Sequence, residues 1–153
     1  MNWLNDFITL GESVLVTDPG YAEKNWCNES VERVLPGRYR VSIKLNNEGR
    51  VKELRVTHED YLQPKSHSRH EHISNCAVDS GTLGVFDEIY FMKNAPLPGW
   101  YDDHVLSWCG QSKHHVSDGK GVVSESGYGD GYYPLYTAVN GNNKVVSFKI
   151  IFI

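Results

Sequence analysis

Cysteine is scarce in this chain and poorly spaced for a structural role. Cys27, Cys76 and Cys109 are the only three, an odd number, far apart and never in C-x-x-C form, which disfavours a disulfide framework. Long apolar runs are missing too. Nothing approaches the roughly 18 apolar residues of a spanning helix, and Met1-Asn2-Trp3-Leu4-Asn5-Asp6 carries no basic leader region. The expectation is a soluble, cytoplasmic protein of a reducing compartment with no membrane partner. Asn28-Glu29-Ser30 matches a glycosylation acceptor, but without a secretory signal the match reads as chance.

Positive charge is in short supply. Lys and Arg total 15 against 19 Asp and Glu, a net charge of -4, and charged residues make up 22% of the chain. Residues 73 to 131 hold three basic and eight acidic groups, while 132 to 153 hold only Lys144 and Lys149. Displacing counterions from duplex nucleic acid needs a Lys/Arg stripe, and none is visible, so that partner class is excluded. The P-loop, dinucleotide fingerprint, nucleophile elbow, H-E-x-x-H and EF-hand patterns are all absent, which excludes the enzymes those motifs mark.

What is present points to β structure. A length of 153 residues fits a single globular domain, 1–153, able to bury a core without a staple. Tyr39 to Leu45 alternates apolar and polar residues, Asn46-Asn47-Glu48-Gly49 supplies a turn, and Val51 to Thr57 resumes with Leu54 and Val56 on one face, which reads as a hairpin. Tyr132 to Val139, the turn Asn140 to Asn143, and Val145 to Ile153 form a second. Its last strand places Val146, Phe148, Ile150 and Phe152 on one face and ends apolar on both, as a strand internal to a sheet does. Short strands are expected at Ser13–Thr17, Cys76–Val78 and Gly119–Ser124, and short helices around Trp3–Ile8 and Ala22–Leu35. Tyr61–Asn75 and Lys93–Lys120 read as long loops. The fold class is mainly β, a β-sandwich or open barrel of antiparallel hairpins with one or two short helices. Val41, Ile43, Leu54, Val56, Val146, Phe148, Ile150 and Phe152 are its candidate core. Neither strand order nor oligomeric state follows from local pattern.

Three places put an aspartate where an extended segment turns: Val16-Thr17-Asp18-Pro19-Gly20-Tyr21, Ala77-Val78-Asp79-Ser80-Gly81 and Tyr128-Gly129-Asp130-Gly131-Tyr132. Such aspartates either brace their turns by accepting backbone N–H bonds or converge on a ligand at strand ends. D-P-x-Y with a downstream Trp (Asp18, Pro19, Tyr21, Trp26), V-D-S-G (Val78 to Gly81) and G-D-G-x-Y-P-x-Y (Gly129 to Tyr136) precede a closing hydrophobic strand in that order. Together, from about Val14 to Phe152, they resemble a bacterial and phage family, the domain-of-unknown-function group four-two-four-one and its short phage relatives. The resemblance implies a mostly β domain in a small bacterial or phage protein and supplies no activity. Gly20 stands where the D-P-C-Y form of the phage relatives has Cys, so no thiol role carries over.

Histidines and aromatics complete the inventory. His67, His70 and His72 share one stretch and His114-His115 another, and His72-x-x-x-Cys76 and Cys109-x-x-x-x-His114 form two Cys/His pairs. These four residues would hold a tetrahedral zinc if one bound, but they lack the tight spacing of strong sites, so no metal and no cofactor is expected. Trp100, Tyr101, Trp108, Tyr128, Tyr132, Tyr133 and Tyr136 crowd the second half. Tyr and Trp join a large apolar face to a polar tip, which suits recognition as well as a β core. The leading functional expectation is a non-enzymatic binding or inhibitor-type protein, phage or mobile-element encoded. It would recognise a protein or small-molecule ligand through Asp18, Tyr21, Trp26, Asp79, Ser80, Asp130 and Tyr132. The alternatives are a metal-assisted hydrolase or lyase using Asp18, Asp79 and Asp130 with loop histidines, and an immunity-type inhibitor whose acidic face blocks a basic site.

Overall fold

The computed structural model describes residues 3–21 and 27–153. Among these, eleven strands build two antiparallel sheets: β1 Phe7–Leu10, β2 Val14–Thr17, β3 Asn28–Val31, β4 Gly37–Leu45, β5 Val51–His58, β6 Glu71–Val78, β7 Thr82–Asp87, β8 His114–Val116, β9 Gly121–Glu125, β10 Gly131–Val139 and β11 Val145–Ile151. One sheet runs β1-β4-β5-β11-β10-β6 and the other β3-β2-β7-β9-β8. The fold is a β-sandwich. Among the described residues no helix is long and apolar enough to cross a membrane.

Both expected hairpins form, and both close with the same device. Asn46 Oδ1 accepts from the N–H groups of Glu48 and Arg50 at 3.0 and 2.9 Å. Asn140 Oδ1 accepts from those of Asn142 and Lys144, each at 3.0 Å. An asparagine carbonyl thus stands in for a backbone acceptor and sets where each strand pair begins. With register set, alternation puts Val41, Leu54, Val56, Phe148 and Ile150 against Val14, Val16, Leu83, Val85 and Val122 of the other sheet. Each fully buried aliphatic or Phe side chain there stabilises by about 1.5–3 kcal/mol of transfer free energy. Val146 and Phe152 are buried as expected, and β11 lies inside its sheet. Ile43 is only half-buried because β4 runs past the shelter of the facing sheet there, where Leu45 is exposed.

A second apolar layer covers the outer face of the five-stranded sheet. Leu15, Phe86 and Val123 meet Phe91, Ala95, Trp100, Val105 and Trp108, which come from helix α1, Glu88–Asn94, and a π-helical turn, Asp102–Leu106. Asp87 caps α1: its Oδ2 accepts from Tyr90 N at 3.2 Å, and its Oδ1 accepts from Gly11 N at 2.8 Å. Glycine is required beneath Phe86. A Cβ at Gly84 or Gly121 would come within 2.2 Å of that ring, which lies flat across β7 and β9.

The helix expectations need correction. Phe7–Leu10 is a strand paired with β4, and Asn28–Val31 is a strand paired with β2. Helical spacing of apolar residues was present at both places, but each segment completes the open edge of a sheet, and ladder hydrogen bonds outweigh weak local preference. Ala22 to Trp26 lie outside the described residues. The stretches expected as loops also hold structure: Tyr61–Asn75 contains the first part of β6, and Lys93–Lys120 contains the π-helical turn and β8.

Candidate functional site

Asp18, Asp79 and Asp130 come to one end of the sandwich. β2 ends at Thr17, β6 ends at Val78, and β10 begins at Gly131, directly opposite Val78. Asp79 and Asp130 therefore flank the same end of one strand pair, while Asp18 reaches Asp79 from the facing sheet. Asp18 is fully buried. Its Oδ2 accepts from the N–H groups of Asp79 and Ser80, each at 2.7 Å, and its Oδ1 from Ser80 Oγ at 2.7 Å and Gly20 N at 2.8 Å. Four donors fill the acceptor capacity of a carboxylate. The D-P-x-Y and V-D-S-G motifs are thus two halves of one hydrogen-bonded joint, which ties the sheets together across the core.

Tyr21 donates from its phenol to Asp79 Oδ2. That hydrogen bond, with lesser help from burial and the charge of Asp79, pushes the Tyr21 phenol up to about 12. Thr17 Oγ1 shares its one proton between the carbonyls of Asp18 and Cys27, at 3.0 and 3.1 Å, and accepts from Asn28 Nδ2. Burial raises the Cys27 thiol to about 11 and the Cys76 thiol to about 12, and it raises Cys109 as well. None of the three is a poised thiolate.

The third motif is joined to the second through backbone. Ser126 N donates to Gly81 O at 3.1 Å, Ser126 Oγ donates to Gly129 O at 2.8 Å, and Tyr133 OH reaches the same carbonyl at 2.6 Å. Asp130 and Tyr132 are left on the outside, Tyr132 at 73% exposure. Tyr128, 58% exposed, donates to Glu48 Oε1 at 2.6 Å and accepts from Asn46 Nδ2 at 3.1 Å, with Arg50 5.4 Å over its ring. A shallow cavity of about 250 Å³ between these turns is lined by Arg50, Ser80, Thr82, Cys109 and Glu125 among others. Of the expected site residues, Asp18, Tyr21, Asp79 and Ser80 touch one another, Asp130 and Tyr132 stand at the rim, and Trp26 lies outside the described residues.

The four candidate zinc residues do not gather. Cys76 is buried on β6, His72 Nε2 bonds Asn75 Oδ1 at 2.9 Å on the exposed face of that strand, Cys109 is exposed, and His114 Nε2 bonds Asp6 Oδ2 at 2.6 Å on the edge of the other sheet. Among the described residues no three His, Cys, Asp or Glu side chains stand close enough to hold a metal ion.

Three further residues contribute beyond the expected ligand-binding set, and two of them, Tyr101 and Tyr133, belong to the aromatics of the second half. Tyr101 packs beside Gly20 and shares a hydrogen bond with Ser80, and Ser126 and Tyr133 brace the third turn. Ser126 lies in Ser-Glu-Ser-Gly, a turn composition that could have flagged it. Nothing local places Tyr101 against Gly20 and Ser80.

An antiparallel β-sandwich whose first two turn motifs meet in a buried carboxylate joint is the class that this geometry defines. The chain belongs to the family described as "Protein of unknown function (DUF4241)", whose model matches residues 65–150. That span runs from just before β6 into β11 and so holds the V-D-S-G and G-D-G turns, while Asp18 lies outside it. No curated protein and no solved structure matches the chain.

Proposed function

We propose that the protein is a non-enzymatic binding module that engages a protein partner with the end of the sandwich where the three turns meet. The observation that carries this reading is the pairing of two largely exposed tyrosines, Tyr128 and Tyr132, with a support fastened by the saturated Asp18 joint. Aromatics held out from a turn, as Tyr128 is, and from the first residues of a strand, as Tyr132 is, lose little conformational freedom on binding and supply large amphipathic contact area. Glu48 and Asp130 stand beside them and Asp79 lies at the same end, against the cation of Arg50 5.4 Å over the Tyr128 ring, a surplus of carboxylates that favours a partner surface carrying basic groups beside an apolar patch. The hydrolase alternative has less support. A divalent cation at Asp18 would have to displace four internal donors, and no thiol nearby is activated.

The test is affinity capture from the source cell on immobilised parent protein and on a Tyr128→Ala/Tyr132→Ala variant, read by quantitative mass spectrometry. A defined protein held stoichiometrically by the parent should fall roughly tenfold or more on the variant, because exposed aromatic anchors carry more than 1.4 kcal/mol of binding free energy. The variant's thermal midpoint should match the parent's. Equal retention on both proteins would end this reading.

A further inference from the structure

We propose that the outer face of the six-stranded sheet holds a binding pocket for a small phosphate-bearing molecule, at the opposite end of β10 from the turn cluster. The register assembles it. Ser42 pairs with Arg55, Arg55 with Lys149, Lys149 with Tyr136, and Tyr136 with His72, one row crossing five strands. Two cations thus stand directly opposite one another on adjacent central strands, an arrangement that costs stability. Among the described residues, the carboxylate in ion-pair reach of this row is Glu53, whose Oε2 lies 3.4 Å from Arg55 and 3.9 Å from Lys44. Arg55 Nε is buried without a hydrogen-bond partner. Glu53 Oε2 beside it is likewise buried without a hydrogen-bond partner, so the ion pair leaves the guanidinium with donors to spare, and a guanidinium lining a cationic cleft is suited to an oxyanion.

The loop before β6 makes the row into a cavity. Ser68 N donates to Val139 O at 2.8 Å and Ser68 Oγ accepts from Val139 N at 2.9 Å, so the loop is pinned to the end of β10. Its His70 Nε2 meets Ser147 Oγ at 2.8 Å, and that hydroxyl meets Thr57 Oγ1 at 2.7 Å. The half-open cleft measures about 330 Å³ and is lined by Arg55, Arg69, Lys149, His67, His70 and Trp3 among others, with no carboxylate among the described residues that line it. The field is felt by the groups inside. Burial, followed by the charges of Arg55, Lys149 and His67, lowers His70 to about 3, and burial with Arg55 also lowers Lys149. Three cations converging on a concave space of this volume suit a compact di- or trianion. An Arg fork matches phosphate geometry in particular.

The experiment is isothermal titration of the full chain with pyrophosphate, with adenosine monophosphate, and with sodium chloride at matched ionic strength. Each is repeated on Arg69→Gln, Lys149→Gln and Lys113→Gln. Lys113 sits beside the other sheet, paired with Glu125 at 3.3 Å. Saturable binding of pyrophosphate or the monophosphate is expected, weakened tenfold or more by Arg69→Gln and by Lys149→Gln and unchanged by Lys113→Gln. Preference for pyrophosphate would identify a free-anion site, and preference for the monophosphate a phosphate-ester site; both support the pocket. Arg69 lies on the loop, so its variant keeps the test valid if Lys149→Gln fails to fold. Absence of saturable binding, or equal loss in all three variants, would overturn the proposal. So would binding of a single-stranded oligonucleotide through these residues with no response to either small probe.

Discussion

Asp18 has two oxygens and receives four donors, two on each oxygen, from Gly20, Asp79 and Ser80. Replacing it with Asn keeps the shape but turns one oxygen into an N–H donor facing two donors already in place. Whichever way the amide is turned, two buried hydrogen bonds become repulsive contacts. Asp18→Asn should therefore lose about 3 kcal/mol of stability, since buried bonds to a charged group contribute about 1.5–3 kcal/mol each and part of the loss relaxes. Asp130→Asn, at an exposed position, should leave urea unfolding nearly unchanged; equal midpoints for the two variants would refute the joint. His70 provides a second residue-scale test. Its ring is held mainly neutral by burial and by Arg55, Lys149 and His67, with Glu53 the nearby opposing charge acting on Lys149. Its native value near 3 lies below the ordinary 6.5, so the unfolded chain binds the extra proton first as pH falls. The stability that neutral His70 contributes is fully present above about pH 6.5 and is lost as pH drops toward 3. His70→Gln should flatten the slope of unfolding free energy across that window, and an unaltered slope would show that His70 titrates normally.

At the scale of elements, β7 and β9 carry the helical layer only because two glycines let Phe86 lie flat. A methyl at Gly121 would stand 2.2 Å from Phe86 Cδ1, so Gly121→Ala should destabilise by roughly 1–3 kcal/mol through overpacking. Combining it with Phe86→Leu should cost less than the sum of the single changes, and strictly additive losses in urea would contradict this packing. Elements with strict alternation or a turn signal were legible beforehand: β4, β5, β10 and β11 with their Asn turns, β2, and β9. β1 and β3 were not, because four-residue strands with Phe7, Ile8 and Leu10, or with Val31 alone, do not distinguish a helical from a strand period. The first half of β6 was hidden because this edge strand carries Glu71, His72 and Asn75 outward and no apolar alternation. α1 had a readable start in Asp87, yet its seven residues are too few to display a period. In the site, Asp18, Tyr21, Asp79 and Ser80 were legible as turn residues with a common logic. Their meeting depends on β2 facing β6, which no local pattern encodes. Arg55 and Lys149 show the same limit more sharply, since 94 positions separate two side chains that only the β5–β11 register makes neighbours.

Taken as a whole molecule, the sandwich is not built in the order in which it is read. β5 pairs with β11, and β11 with β10, so the last strand of the eleven lies in the interior of the larger sheet. During synthesis, β1, β4 and β5 emerge early and wait with an open edge on β5, while β10 and β6 can pair only with each other. Until Val145–Ile151 leaves the ribosome, the Phe148 and Ile150 side of the core is missing and two apolar half-sheets stand unsealed. The larger sheet therefore closes only once Val145–Ile151 is available to join β5 to β10, a non-local pairing that comes late in folding. Ribosome-bound chains arrested so that Lys144 is the last residue outside the tunnel should be cleaved rapidly by a nonspecific protease. Chains extended by a linker that frees Ile153 should become resistant in one step, whereas protection growing gradually from β5 onward would mean that the N-terminal strands are stable without the strand that joins them.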